Sequence, residues 1–167
     1  AYRQMGADVT VKSHVYRLKA ERLTGTDITL PYPSVSATES ILLAAALADG
    51  TTYIRNAAIE PEVIDLALYL QKMGAIIEHQ IDRTFIVEGV RNLTGAKHEV
   101  MPDRLVSASV GAAALLTHGD VFVRNARQRD MLTFLNTVRR IGGSFDIDGQ
   151  GIRFYRTGLL KAIALET

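Results

Sequence analysis

Apolar positions fall in two rhythms along this chain. From Ala37 to Ala48 they are nearly continuous, ending Ile41-Leu-Leu-Ala-Ala-Ala-Leu-Ala48. Such a run of good helix formers predicts a buried helix. Asp49-Gly50 closes it, because glycine suits the left-handed position after a helix. Thr51 to Arg55 is β-branched and aromatic and predicts a strand. The period then changes. Val63, Leu66, Leu70 and Met73 recur at three and four, which predicts a helix with one buried face. Glu60-Pro61-Glu62 opens it, with proline in the first turn and carboxylates near the positive dipole end. Gly74 ends it. Ala75 to His79 and Thr84 to Glu88 predict a hairpin across Gln80-Ile81-Asp82-Arg83. Asn92-Leu-Thr-Gly95 turns the chain into a further strand expected around His98 to Val100.

The same order returns. Gly50-Thr-Thr-Tyr-Ile-Arg-Asn-Ala57 matches Gly119-Asp-Val-Phe-Val-Arg-Asn-Ala126 at an offset of 69. Carried forward, that offset sets Leu66 on Leu135, Gly74 on Gly143 and Phe85 on Phe154. The second copy predicts a helix over Asp130 to Ile141, then strands near Ser144 to Ile147 and Ile152 to Tyr155, joined by a turn at Gly149-Gln-Gly151. An earlier partial copy precedes both: Met5-Gly6-Ala7 matches Met73-Gly74-Ala75, and Arg22-Leu-Thr-Gly25 resembles Asn92-Leu-Thr-Gly95. Several matches in one order define a repeated supersecondary unit of about 70 residues, a βαβαββ module. If the repeat is real, Tyr53 and Phe122 occupy equivalent strands. Residues 1–5 then read as the tail of a second helix, and Thr167 as stopping just after a strand, which favours a piece of a longer polypeptide. Pro102-Asp103 is the best internal boundary, since proline interrupts a strand and aspartate caps the helix from Leu105.

Composition narrows the classes. The 167 residues are 47% apolar, enough for a core, and carry a net charge of +1 from 19 basic and 18 acidic side chains. That balance gives no electrostatic case for nucleic acid or an anionic membrane. There is no cysteine, so disulfides, thiolate metal sites and a cysteine nucleophile are excluded within this chain. The longest apolar run, Ile41 to Ala48, is too short to span a bilayer. These observations set a cytoplasmic protein as the default expectation.

Candidate chemistry gathers before the first apolar helix. Pro31 and Pro33 flank Tyr32 and hold the backbone extended, and Ser34, Ser36 and Thr38 are each able to cap the helix start. A helix N-terminus attracts anions through its free N–H groups and dipole, while the simpler alternative is a capped core helix. The histidines, His14, His79, His98 and His118, are scattered without metal-ligand spacing and fit loop or surface positions. Arg124, Arg127, Arg129, Arg139 and Arg140 fit a solvated helix face, because aromatics do not interleave with them.

Three motifs carry a resemblance: Pro33-Ser34-Val35-Ser36-Ala37-Thr38-Glu39, Asn56-Ala-Ala-Ile-Glu60-Pro-Glu62-Val-Ile-Asp65, and Met101-Pro-Asp103-Arg104. Across essentially its whole length the chain resembles the enolpyruvyl transferases, specifically those acting on UDP-N-acetylglucosamine. The resemblance implies an α/β (α+β) fold of two domains, each of three βαβαββ modules around a pseudo-threefold axis, an inside-out α/β barrel. Residues 1–101 would be the later part of the first domain, and 102–167 one module of the second. The implied reaction moves the enolpyruvyl group of phosphoenolpyruvate to the 3′-hydroxyl of UDP-N-acetylglucosamine, in peptidoglycan synthesis, with no metal or organic cofactor. The family's nucleotide-binding stretch falls on Tyr32, Pro33, Ser34 and Val35, with Ser36 beside it, so that the backbone N–H groups around Ser34 to Ser36 would meet the substrate. Glu60 and Glu62 match a carboxylate pair, for which helix-start electrostatics is the alternative. Arg104 matches an arginine beside the phosphate site, for which a solvated first-turn side chain is the alternative.

Three positions depart from the family pattern. Ser36 stands where glycine is usual, Ile59 where arginine is usual, and Val106 where glutamate is usual. The family's acid and base would lie before residue 1 and after Thr167, so this chain alone is expected to have no turnover. Two other classes remain open. One is an enzyme of the same fold acting on shikimate 3-phosphate. The other is a non-catalytic binding module, for which Ile59 and Val106 speak. Strand edges exposed at the truncated ends would invite self-association.

Overall fold

The computed structural model describes residues 1–165; the expected strand end at Thr167 lies outside the described residues, and 156–165 form no strand. The chain divides into two compact units, one from Ala1 to Val100 and one from Met101 onward.

The first unit opens with residues 1–6 in a helical turn, where the Met5 N–H donates to the Ala1 carbonyl at 3.1 Å. A hairpin follows, β1 (Asp8–Lys12) against β2 (Val15–Lys19), which was not among the expected elements. Then come β3 (Asp27–Thr29), α1 (Val35–Ala45), β4 (Thr51–Arg55), α2 (Pro61–Lys72), β5 (Ile76–Gln80) and β6 (Thr84–Glu88). The sheet runs β3-β4-β6-β5, with β3 parallel to β4 and the remaining pairs antiparallel. A parallel pair needs a crossover, and α1 supplies it. This is a complete βαβαββ module. Its core joins Ile28, Ile41, Leu42, Ile54, Val63, Leu70, Phe85 and Val87, with Met5 contributed by the opening turn. On α2, Val63, Ala67 and Leu70 are buried, and Leu66 and Met73 pack partly covered beside them.

The second unit holds α3 (Arg104–Leu116), β7 (Asp120–Arg124), a 3-10 turn over Gln128–Asp130, α4 (Leu132–Arg140), β8 (Ser144–Asp148) and β9 (Gly151–Tyr155). Its sheet runs β7-β9-β8. Phe154 is its centre, fully buried, with Phe134 edge-on at 5.8 Å. The expected helix from Asp130 starts two residues late, because the 3-10 turn takes its first residue.

Tyr53 and Phe122 do hold equivalent places, each third in its strand and facing the second strand of a hairpin at Ile86 and Arg153 respectively. The repeat extends to backbone detail. Asn56 and Asn125, 69 positions apart, both take the left-handed conformation, with φ of 52° and 63°. Asparagine tolerates it better than most residues, which explains the repeated Arg-Asn-Ala. The helix ends recur three times. Gly6, Gly74 and Gly142 have positive φ, and the next N–H donates five residues back: Ala7 to Tyr2, Ala75 to Leu70, Gly143 to Val138. This is a Schellman cap. The carbonyl of the residue before each glycine then accepts a returning N–H, from Thr24 to Met5, Thr94 to Met73 and Lys161 to Ile141. The Leu-Thr-Gly resemblance therefore marks one docking point used twice.

The structure corrects four expectations. A constant offset of 69 does not persist: Gly74 corresponds to Gly142 rather than Gly143, and Ala67 rather than Leu66 corresponds to Leu135. Val87 rather than Phe85 corresponds to Phe154, since these face Thr52 and Val121 at matched positions. The drift comes from a one-residue-shorter second helix region and from a two-residue β8–β9 turn where β5–β6 has three residues. Gly50 is left-handed but does not cap α1, which already ends at Ala45; it stands just before β4. No strand forms at His98 to Val100, because among the described residues this segment pairs with no other strand; its histidine turns to α2 instead. β3, which begins the module, had no sequence signal beyond its polar alternation.

Candidate functional site

Ser34 is the N-cap of α1. Its extended backbone (φ −88°, ψ 124°) sets the hydroxyl to accept from the Ala37 N–H at 3.3 Å. Pro33 holds a tight turn in which the Ser34 N–H donates to the Tyr32 carbonyl at 2.8 Å. Two of the amides at this helix start are thus already used. The expectation of N–H groups from Ser34 through Ser36 narrows to Val35 and Ser36, which as first-turn residues have no intrahelical acceptor. Ser36 is exposed, and its carbonyl accepts from the Ser40 hydroxyl at 2.7 Å. Tyr32 is 65% exposed beside the turn.

Thr38, named by the sequence only as a possible cap, does more. It is fully buried, donates to the Ser34 carbonyl at 2.8 Å and accepts from the Ala58 N–H at 3.0 Å. Asn56 Nδ2 reaches back to the Leu30 carbonyl at 2.9 Å. These bonds draw 30–38 and 56–60, far apart in sequence, to one end of the first unit. The Arg83 Nε also donates to the Ala57 carbonyl at 3.1 Å. A polar residue inside an apolar helix, and an asparagine repeated at a fixed offset, were the available signals.

Glu60 precedes Pro61 at the start of α2. It occupies the cap position, yet its side chain makes no capping bond, and Oε2 is buried without a partner among the described residues. An unpaired buried carboxylate oxygen is costly. Glu62 lies in the first turn of α2. Ile59, before them, is 41% exposed.

In the second unit Asp103 caps α3, accepting from Leu105 and Val106 N–H at 2.8 and 3.0 Å. Ser107 repeats the Thr38 back-bond by donating to the Asp103 carbonyl at 2.8 Å. Arg104 is the first residue of α3 and is half-buried; Val106 is exposed. Of the proposed residues, Tyr32 to Ser36, Glu60 and Glu62 lie in the first unit, while Arg104 belongs to the second. The histidines divide: His14, His79 and His118 are exposed, while His98 lies in the loop after β6 with its side chain only 8% exposed. Among the described residues no cluster of histidine and carboxylate side chains is arranged to hold a metal. None of the helices there is long and apolar enough to cross a membrane.

The βαβαββ module of the first unit is followed in the second by the order αβαββ, and each leading helix is opened by a hydroxyl or carboxylate cap. A crystal structure of the enolpyruvyl transferase NikO from Streptomyces tendae superposes with a TM-score of 0.77 at 21% identity, over 93% of this chain and 40% of that one. Residues 1–164 match the EPSP synthase (3-phosphoshikimate 1-carboxyvinyltransferase) family, and the chain belongs to it. It is 51% identical over 146 residues to the UDP-N-acetylglucosamine 1-carboxyvinyltransferase of Protochlamydia amoebophila, covering 87% of this chain and 31% of that protein. It is 47% identical over 166 residues to the enzyme of that name from Chlamydia abortus, covering 98% of this chain and 37% of that protein. The chain therefore spans about a third of the length of these curated relatives.

Proposed function

We propose that this chain is part of a cytoplasmic carboxyvinyltransferase that passes the enolpyruvyl group of phosphoenolpyruvate to the 3′-hydroxyl of UDP-N-acetylglucosamine, for peptidoglycan synthesis. The observation that carries the proposal is 47% identity across 98% of the chain to a relative bearing that activity's name. In the reaction, a base takes the hydroxyl proton as the sugar oxygen bonds to C2 of phosphoenolpyruvate, and an acid gives C3 a proton. The C2–O bond to phosphate then breaks, phosphate leaves, and C3 returns the proton.

In this proposal residues 1–101 form the later part of one domain and 102–167 one module of another. The start of α1, from Tyr32 to Ser36, takes the nucleotide sugar, with the Val35 and Ser36 N–H groups as donors to an anionic oxygen. The unpartnered Glu60 oxygen supports a role for the Glu60–Glu62 pair in ordering bound substrate. Arg104 supplies positive charge toward phosphate. The family match to 3-phosphoshikimate 1-carboxyvinyltransferase keeps shikimate 3-phosphate as the second acceptor to test.

Titration calorimetry of the chain with each acceptor tests the proposal. Heat with UDP-N-acetylglucosamine that is lost in Ser36→Pro, which removes one N–H, supports it. Heat with shikimate 3-phosphate alone supports the second acceptor, and heat with neither refutes both. The acid and base are assigned outside these residues, so no phosphate release above a buffer blank is expected from the chain alone. Self-pairing through open sheet edges, such as the free edge of β2, is checked by sedimentation.

A further inference from the structure

After β6 the chain does not enter another element but runs as a strap, residues 90–100, along the first unit. Its beginning is held by backbone. The Val90 N–H donates to the Ala46 carbonyl at 2.9 Å, and the Thr94 N–H to the Met73 carbonyl at 2.8 Å, with the Thr94 hydroxyl on the same oxygen at 3.2 Å. Leu93 packs against the core. Further along, His98 turns inward onto one face of α2, where Asp65, Tyr69 and Lys72 follow at helical spacing. His98 Nε2 lies 3.1 Å from Asp65 Oδ2, and Nδ1 lies 3.1 Å from Lys72 Nζ. The Tyr69 ring covers the imidazole at 5.2 Å between centroids.

The chemistry of these partners fixes the proton. A lysine ammonium only donates, so Nδ1 accepts from Lys72 through its lone pair. Nε2 then carries the hydrogen and donates to Asp65. A charged imidazolium would set an N–H against the ammonium. We propose that His98 is a positioning residue: neutral, with hydrogen on Nε2, it clamps the strap onto α2 between Asp65 and Lys72. Through it the chain leaves the first unit from a fixed point, six residues before Arg104. The helix it grips is the one capped by Glu60 and carrying Glu62 in its first turn. Its importance for turnover rests on the proposed transferase function, but the clamp itself does not.

Nuclear magnetic resonance on the full chain separates the two. Long-range nitrogen–proton spectra near neutral pH should show His98 neutral and protonated at Nε2, and backbone order parameters over 95–98 should stand near 0.85. His98→Ala should drop them below about 0.6 while α2 keeps its amide shifts. Lys72→Met, at an exposed position, should lower them too, and decides the matter if His98→Ala fails to fold. A hydrogen on Nδ1, a charged ring, or order parameters unchanged in the folded variants would overturn the clamp. None of these readouts needs substrate, so failure of the transferase proposal leaves them intact.

Discussion

Replacing Thr38 by valine keeps the shape of the side chain and removes its hydroxyl. In the structure that hydroxyl donates to the Ser34 carbonyl and accepts from the Ala58 N–H, and both Thr38 and Ala58 are fully buried. The variant therefore leaves a buried amide without a partner, which costs about 1–3 kcal/mol, beyond the loss of the donated bond. We expect about 2 kcal/mol of destabilisation, a shift of roughly 1 M in the urea midpoint for a slope near 2 kcal/mol/M. Thr52 supplies the control. It is equally buried, on β4, but its hydroxyl has no partner among the described residues. Thr52→Val should be neutral or stabilising by up to about 1 kcal/mol, since it removes an unsatisfied polar group. The same chemical change should thus act in opposite directions at two threonines. Urea unfolding followed by circular dichroism measures both. If Thr38→Val stays within about 0.5 kcal/mol of the parent, or Thr52→Val loses as much as Thr38→Val, the hydrogen-bond account of this end of the first unit is wrong.

Other outcomes follow from single positions. A Cβ on Gly89 would lie 1.7 Å from the Ala48 carbonyl oxygen, so Gly89→Ala should lose the cooperative unfolding transition of the first unit in a thermal scan. Asn56→Gly should retain more stability than Asn56→Ala, because the left-handed backbone (φ 52°) suits glycine while both variants lose the bond to Leu30; comparing their midpoints isolates the backbone term. The Arg153 guanidinium donates to the Asp120 carboxylate on the outer face of β7 and β9, which holds that carboxyl below its ordinary value. A depressed folded value means the pair contributes above the unfolded value, and the contribution is lost as pH falls through the folded one. The Asp120 side-chain carbon shift, followed by acid titration, should move at lower pH than in Arg153→Met. Both side chains are about half exposed, at 51% each, so the effect on global stability should be small.

The sequence by itself determined the elements and their repetition. Local propensity and period sufficed for α1 through β6 and for β8 and β9, because each element's apolar rhythm is set by its own geometry. The repeat was legible because the same backbone problem recurs: a left-handed Asn after a strand, a left-handed glycine after a helix, a Leu-Thr-Gly return. Asp103 was legible as a cap and Ser34 as one of three candidates, since capping depends on neighbours two or three residues away. What lay beyond sequence was whatever long-range partners decide. β3 has only three residues, and only pairing makes it a strand, whereas β1 and β2 are full five-residue strands whose alternation (Val9, Val11; Tyr16, Leu18) was a period-two signal that went unread. The segment around His98 has no pairing partner, so its strand propensity goes unused and its side chain is fixed by α2. That the Glu60 oxygen is buried, with no partner among the described residues, was likewise beyond the sequence. Thr38 looked like one of three possible caps until tertiary contact joined its hydroxyl to Ala58, twenty residues away. Nearest-neighbour chemistry is written into order along the chain, whereas the pairing of distant polar groups is settled only when the core closes around them.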